Sequence, residues 1–363
     1  MSALALYTAD VVALARKDLK LELRARDTLP AMLLFVLSTL VVFHFALPAG
    51  SGDDAAFGLL WIAIVFTALL GLARAWAPER EGGALDGLVL APCDRSAIWL
   101  GKTLATLAFL CAAELVALPA FAGRSLIGDL FFILTMLTLA QFWNLLAGYG
   151  GLVSVGQQAF VGIGAYAMFA VVILAGWDPI PAILAGGIAG LALAVPTAFF
   201  AFRLQGAYFA IGTWVIAEVT RLLVAQWKAL GGGTGTSLPG EVTRDMWFVA
   251  GIADLFGVRQ AAARDILAYW LALALAVATI GGIYWLLRTR HGLALAAVRD
   301  NSEAARSVGV DSGRMKWLVF LIAAFGTGMT GALVYVQTAN ISPDAAFDVT
   351  QWTAYVIFIV VIG

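Results

Sequence analysis

Apolar residues in this chain do not alternate with polar ones. They fall in long unbroken runs separated by short charged or glycine-rich stretches. A helix needs about 20 apolar residues to cross the hydrocarbon core of a bilayer. Ten runs approach that length, at roughly 30–48, 55–76, 103–122, 130–147, 158–175, 180–202, 208–226, 266–288, 317–338 and 352–363. The pattern predicts an all-α, polytopic transmembrane helical bundle of about nine to ten spans. The last run reaches Gly363 after about twelve residues, too few to span, which predicts a chain cut short. Ahead of the first run, residues 10–27 set Val11, Leu14, Leu19 and Leu21 among charges. This reads as a surface helix at the inner leaflet or as a soluble connector.

Composition agrees with the pattern. Hydrophobic residues make up 62% of the 363 and charged residues 12%, with a mean hydropathy of +0.93, so water cannot be the main solvent. A net charge of -1 without a concentrated basic face excludes nucleic acid as a partner. Cys93 lies in a charged loop and Cys111 in an apolar run, which supports neither a disulfide framework nor a metal site. The charged start also lacks the form of a cleavable signal peptide. With the N-terminus inside, Arg74, Arg80, Arg95, Lys102, Arg203, Arg288, Arg290, Arg299, Arg306, Arg314 and Lys316 fall on the cytoplasmic side. The outer side keeps mainly the cations of one loop of about 40 residues, 227–265, whose start Gly231-Gly232-Gly233-Thr234-Gly235 suits a mobile cap.

Polar residues inside the spans are costly, and hence informative. His44 as a heme ligand competes with ordinary hydrogen-bonded packing. Glu114 sits deep in the third span. Glu218 and Arg221 are three apart on one helical face, where pairing with each other competes with contact to a transported solute. The chain holds two histidines, His44 and His291, and no paired aspartates within spans, so no catalytic or metal site assembles and no cofactor is expected.

Two motifs carry mechanism. The inner loop after residue 288 contains Glu303-Ala304-Ala305-Arg306-Ser307-Val308-Gly309. A side-chain cap near Asn301 or Ser302 and a stop near Gly309 predict a short helix with a small alanine face, suited to a groove on a partner. Residues 142–166, FWNLLAGYGGLVSVGQQAFVGIGAY, interrupt an apolar run with Gly148, Gly150, Gly151, Gly156, Gly162 and Gly164 beside Ser154, Gln157 and Gln158. This predicts a broken helix lining a translocation path, with close helix packing as the alternative. Packing is the reading for Gly186 and Gly190.

The EAAxxxG element resembles the coupling loop of importer-type ATP-binding-cassette permeases. The surrounding RTRHGLALAAVRDNSEAARSVGVDSGRMKW, the 142–166 block, RLQGAYFAIGTWVIAEVTRLL at 203–223 and ISPDAAFD with the run ending VVIG at 341–363 are similar to branched-chain amino acid permeases. That resemblance covers about 126–363. It implies import of leucine, isoleucine, valine or a related solute, with Glu303, Ala304, Ala305 and Gly309 coupling to ATPase subunits. The implied solute pathway comprises Gly148, Ser154, Gln157, Gln158, Tyr166, Tyr208 and Glu218. Implied partners are cytoplasmic ATPases, a second permease subunit and a periplasmic solute-binding protein, with the bacterial inner membrane as the location.

Residues 1–122 differ. RKDLKLELRARDTLPAMLLF at 16–35 and LLGLARAWAPEREGGALDGLVLAPCDRSAIWLGKTLATLAFLCAAELVALP at 69–119 resemble the heme exporter B family of cytochrome c maturation. The organisation expected is therefore a three-span heme exporter-like fragment at 1–122, a junction at 123–129 and a permease-like domain at 130–363. Such an arrangement points to a chimeric or truncated reading frame. Its functional alternatives are a heme exporter subunit and an inert fragment. Glu79, Arg80 and Glu81 are a second, weaker ATPase-facing candidate, with a solvated loop as the alternative. Gly101-Lys102-Thr103 is no phosphate loop, because Ser96 stands where that motif needs glycine. ATP hydrolysis is thus left to a separate subunit.

Overall fold

The computed structural model describes residues 3–25, 34, 38, 116, 118–120 and 122–362 save 205, 301 and 308. The chain divides into two compact units, Met1–Ser125 and Leu126–Gly363. In the first, the described residues include helix α1 (Ala3–Ala25), which takes in residues 10–25 of the charged stretch, and a 3₁₀ turn, Leu118–Ala120. Apart from residues 34, 38, 116, 118–120 and 122, the three runs expected at 30–122, together with His44, Glu79, Arg80, Glu81, Cys93, Cys111 and Glu114, lie outside the described residues.

The second unit is a bundle of seven helical stretches, among the described residues, that are long and apolar enough to cross a membrane. In order they are α2 (Arg124–Asn144), running on as a π turn over Leu145–Tyr149, α3 (Gln157–Ala175), α4 (Pro179–Ala201) and α5 (Ala207–Ala225). Outside them come the short α6 (Gly240–Arg244) and α7 (Val249–Phe256), followed by the long α8 (Gln260–Arg288). The inner loop holds α9 (Arg290–Asp300) and α10 (Ser302–Ser307), and α11 (Ser312–Thr338) returns across the membrane. The seventh stretch, Pro343–Ile362, is made of α12 (Pro343–Ala346), a π turn at Thr350–Ala354 and α13 (Tyr355–Ile362).

That last stretch begins nine residues, about two and a half helical turns, earlier than the apolar pattern indicates. Ser342 caps it by accepting the Ala345 N–H, and Pro343 occupies the first helical position, where its missing N–H costs nothing. Asp344 and Asp348 interrupt the apolar run without ending the helical path, since Asp348 accepts the N–H groups of Thr350 and Gln351 at 2.6 and 3.1 Å. The segment therefore has 20 residues, enough for a span, not twelve.

Three helices, α3, α4 and α11, pack on one another through glycine. A Cβ at Gly164 would strike the backbone of Gly328, one at Gly186 would meet Ala332 and the Gly164 carbonyl, and one at Gly190 would meet the Ala324 carbonyl. Without hydrophobic drive between helices in lipid, such close backbone approach is what holds a membrane bundle together. Below this crossing, Phe160, Phe202 and Phe320 interlock edge to face at 5.4–5.7 Å, in a core shared with Phe142, Leu145 and Val319.

The glycine-rich start of the outer segment is pinned in place. Thr236 and Ser237 pair antiparallel with Ile341 and Asn340, and Gly235, at φ +81°, lies against the Ile341 carbonyl with no room for a side chain. Gly231 also has φ +81°. The glycines supply left-handed backbone and contact, so the expectation of a mobile cap is replaced by a tight ordered turn. Asp178 adds a tie, capping α4 through Ile180 N–H at 2.8 Å and accepting Trp247 N–H at 2.9 Å.

Candidate translocation and coupling sites

The break between α2 and α3 is the first site. After the π turn, Gly150 N–H reaches Leu145 O at 3.1 Å and Leu152 N–H reaches Leu146 O at 2.9 Å. Gly151 turns the chain at φ +66°, and residues 151–156 run without helix. The freed backbone is satisfied inside the protein, as hydrocarbon requires. Trp143 Nε1 donates to Ser154 O at 2.8 Å, and Val155 N–H donates to Thr213 Oγ1 at 3.1 Å.

Ser154, Gln157 and Gln158 are all buried. Gln157 Nε2 donates to Leu139 O at 2.9 Å. Gln158 is held from the far end of the chain: Thr353 Oγ1 accepts its N–H at 3.2 Å and donates to its Oε1. Tyr166, fully buried, lies against the Phe347 ring at 6.3 Å, and the same Phe347 ring fills the space over Gly162. The break thus collects polar groups from α3 and from the Pro343–Ala354 segment. Of the three buried side-chain polar atoms without a hydrogen-bond partner among the described residues, two lie at this break, Gln157 Oε1 and Tyr166 Oη; the third is Arg264 Nε on α8. Such groups cost free energy in a low-dielectric interior.

The expected glycines divide by role. Gly150, Gly156, Gly162 and Gly164 lie in close contact with neighbours, and Gly151 makes the turn. Gly148 sits in the π turn, where a Cβ would meet the Asn144 side chain. Tyr208, at the start of α5, is 74% exposed and does not join the buried set.

Glu218 forms the predicted pair with Arg221, whose Nε and Nη2 reach Glu218 Oε1 at 3.0 and 2.6 Å. The sequence did not announce the third member: Arg221 Nη1 also binds Asp344 Oδ1 at 2.5 Å, joining α5 to α12. The signal available was Ser342-Pro343-Asp344, a helix start that aims an acidic residue back at the bundle. Asp344 is 81% exposed and Glu218 47%, so the triad lies at the surface of this chain and not in its core. Arg221→Gln is expected to lower stability by no more than about 1 kcal/mol. A double-mutant cycle with Asp344→Asn in detergent melts checks this, and a loss several times larger would show that the triad bears structural load.

The short helix expected at 302–309 forms and stops as predicted, but Ala305, expected on an outward alanine face, is packed inside this chain. Helix α10 covers Ser302–Ser307, with Ala305 buried. It stops in a two-bond left-handed cap: Gly309 N–H reaches Arg306 O and Val310 N–H reaches Ala305 O, each at 3.0 Å, with Gly309 at φ +87°. Arg306 Nε donates to Ser312 Oγ at 2.9 Å, tying α10 to the foot of α11.

The model of the family described as branched-chain amino acid transport system / permease component matches residues 125–363, and so takes in the whole of this bundle. The chain belongs to that permease family. Among curated relatives of the permease, the high-affinity branched-chain amino acid transport system permease protein LivM of Salmonella typhimurium is 31% identical over 281 residues, and that of Escherichia coli 30% over 281. Each comparison covers 72% of this chain and 64% of the relative. A second family model, that of the CcmB protein, matches residues 9–158 and shares 125–158 with the permease match. No solved structure gives a significant match.

Proposed function

We propose that this chain is the membrane permease subunit of an ATP-driven importer of branched-chain amino acids or related small solutes in the bacterial inner membrane. The observation that carries the reading is the permease family match over 125–363, which contains both the buried break and the capped α10. The chain would supply path and coupling and no catalysis of its own. Glu303, Ala304, Ala305 and Gly309 would dock on a cytoplasmic ATPase, a second permease subunit would complete the pathway, and a periplasmic binding protein would deliver solute.

Ser154, Gln157, Gln158 and Tyr166 would line or gate the path, with Gly148, Tyr208 and Glu218 at its margins. The partnerless Gln157 Oε1 and Tyr166 Oη support this, because a group whose partner comes and goes during transport is left unsatisfied in one state. In this reading residues 130–363 form the permease domain, 123–129 the junction and 1–122 a heme exporter-like membrane fragment. The division between the two compact units at Ser125 supports it.

Uptake of labelled leucine in cells relying on this permease tests the proposal. Tyr166→Phe keeps the ring and removes the hydroxyl, so transport is expected to fall while the amount of protein in the membrane holds. Leucine uptake unaffected by deleting the gene would overturn the reading.

The CcmB match favours one alternative, a heme exporter subunit of cytochrome c maturation with Glu79, Arg80 and Glu81 facing its own ATPase. Loss of c-type cytochromes on deletion, with leucine uptake intact, would select it.

A further inference from the structure

A cavity of about 720 Å³ opens at the foot of the permease bundle, beside α10, and is bounded on one side by the start of the break but not by its buried Ser154, Gln157, Gln158 or Tyr166. Its walls come from the turn after α2 (Gly151), the start of α5 (Ala207, Phe209), α10 (Arg306) and the first turns of α11 (Ser312, Lys316). Both charged residues of the wall are cations, and neither is paired with a carboxylate among the described residues. Asp311, the acid at the head of α11, is already engaged: it caps Arg314 N–H at 3.1 Å and pairs with the Arg314 guanidinium at 3.0 Å.

Arg306 is also held in place. Its Nε donates to Ser312 Oγ, and Ser312 is only 1% exposed, so the bond to Ser312 does not use the terminal nitrogens of the guanidinium. The first turns of α5 and α11 frame the same space; the start of α5 has no side-chain cap, so its N–H groups add partial positive charge to the two full charges, whereas the start of α11 is capped by Asp311. The same wall includes Phe209 and Phe202, whose rings stack at 6.3 Å. A cavity lined by both cations and aromatic rings at the ends of the spans matches an anionic head on an apolar stem.

We propose that this cavity binds a phosphate-bearing anion, either the headgroup of an acidic phospholipid of the inner leaflet or a free phosphate compound. The volume exceeds what a bare carboxylate fills. The forked guanidinium with a nearby ammonium and a helix N-terminus is the donor set that phosphate oxygens use. Because Arg306 belongs to α10 and Lys316 to α11, an anion held between them bridges the coupling element to a span. The proposal does not depend on which solute the permease carries.

The test uses the full chain purified in mild detergent, with two probes: labelled phosphatidylglycerol in mixed micelles, and inorganic phosphate. Arg306→Gln combined with Lys316→Gln removes both cations, Ala207→Phe plugs the space, and Arg314→Gln removes an exposed cation outside it. Retention of phosphatidylglycerol over phosphatidylcholine is expected to fall about tenfold or more in the first two variants, the loss of a charge-assisted hydrogen bond, and to persist in the third. That outcome supports a lipid headgroup. If phosphate alone stabilises the protein against heat, and only when both cations are present, the site holds a soluble phosphate compound. Equal retention and equal phosphate response in all variants overturns the proposal. So does a defect confined to ATPase binding, which would assign the cations to the partner protein.

Discussion

Replacing Gly328 with leucine is expected to take the bundle apart. Gly328 lies where α11 crosses α3 and α4, and a Cβ there would lie 2.5 Å from the Gly186 carbonyl oxygen and 3.3 Å from Gly190 Cα. Gly164 approaches the same Gly328 backbone from α3, so the side chain cannot turn aside into open space. The helices must separate, and in lipid nothing restores the packing lost on separation. Overpacking of this kind costs about 3 kcal/mol or more, against about 1–2 for the smaller Gly328→Ala. Melting of the detergent-solubilised protein measures it. Gly282→Leu is the control, because a Cβ at Gly282 on α8 meets nothing within 4 Å. Equal melting of the two leucine variants would show that the crossing does not hold the fold.

Valine at Gly309 should leave the bundle intact and disconnect it from ATP. The left-handed φ of +87° at this position terminates α10 and aligns Gly309 N–H and Val310 N–H on the carbonyls of Arg306 and Ala305. A β-branched residue in that conformation costs about 1–2 kcal/mol. That is enough to reduce the capped form about tenfold in population. Asparagine, which tolerates the left-handed region, should be milder. In vesicles carrying the complete transporter, Gly309→Val is expected to lower leucine taken up per ATP hydrolysed by about that factor, with normal insertion. Unchanged stoichiometry would remove Gly309 from the coupling role.

The long spans were legible because each is a run of apolar residues of membrane length, and length is dictated by the bilayer whatever the neighbours do. Expected runs at 158–175, 180–202 and 208–226 lie within a residue or so of Gln157–Ala175, Pro179–Ala201 and Ala207–Ala225. The short α10 was equally legible, since helix stop signals are local: a glycine two residues past the last turn needs no distant partner. The seventh span was read too short because Asp344 and Asp348 broke the hydrophobic count, although they cap and pair instead of ending the path. Gly231–Gly235 was read as flexible because glycine permits motion. Here it permits contact instead, and only the strand at Asn340–Ile341, about a hundred residues away in sequence, decides which.

The amino-acid sequence by itself determined that the chain is a polytopic α-helical membrane protein, where most of its helices run, that the helix near residue 150 is broken, and that α10 ends at Gly309. These follow from hydrophobic length and from backbone preferences confined to one or two turns. Only the tertiary structure decided that Gly164, Gly186, Gly190 and Gly328 form one crossing, that Thr353 holds Gln158, that Asp344 completes the Glu218–Arg221 pair, and that Arg306 and Lys316 share a cavity. Those contacts join residues from ten to nearly two hundred positions apart, and they are set by how helices pack, which no local pattern encodes.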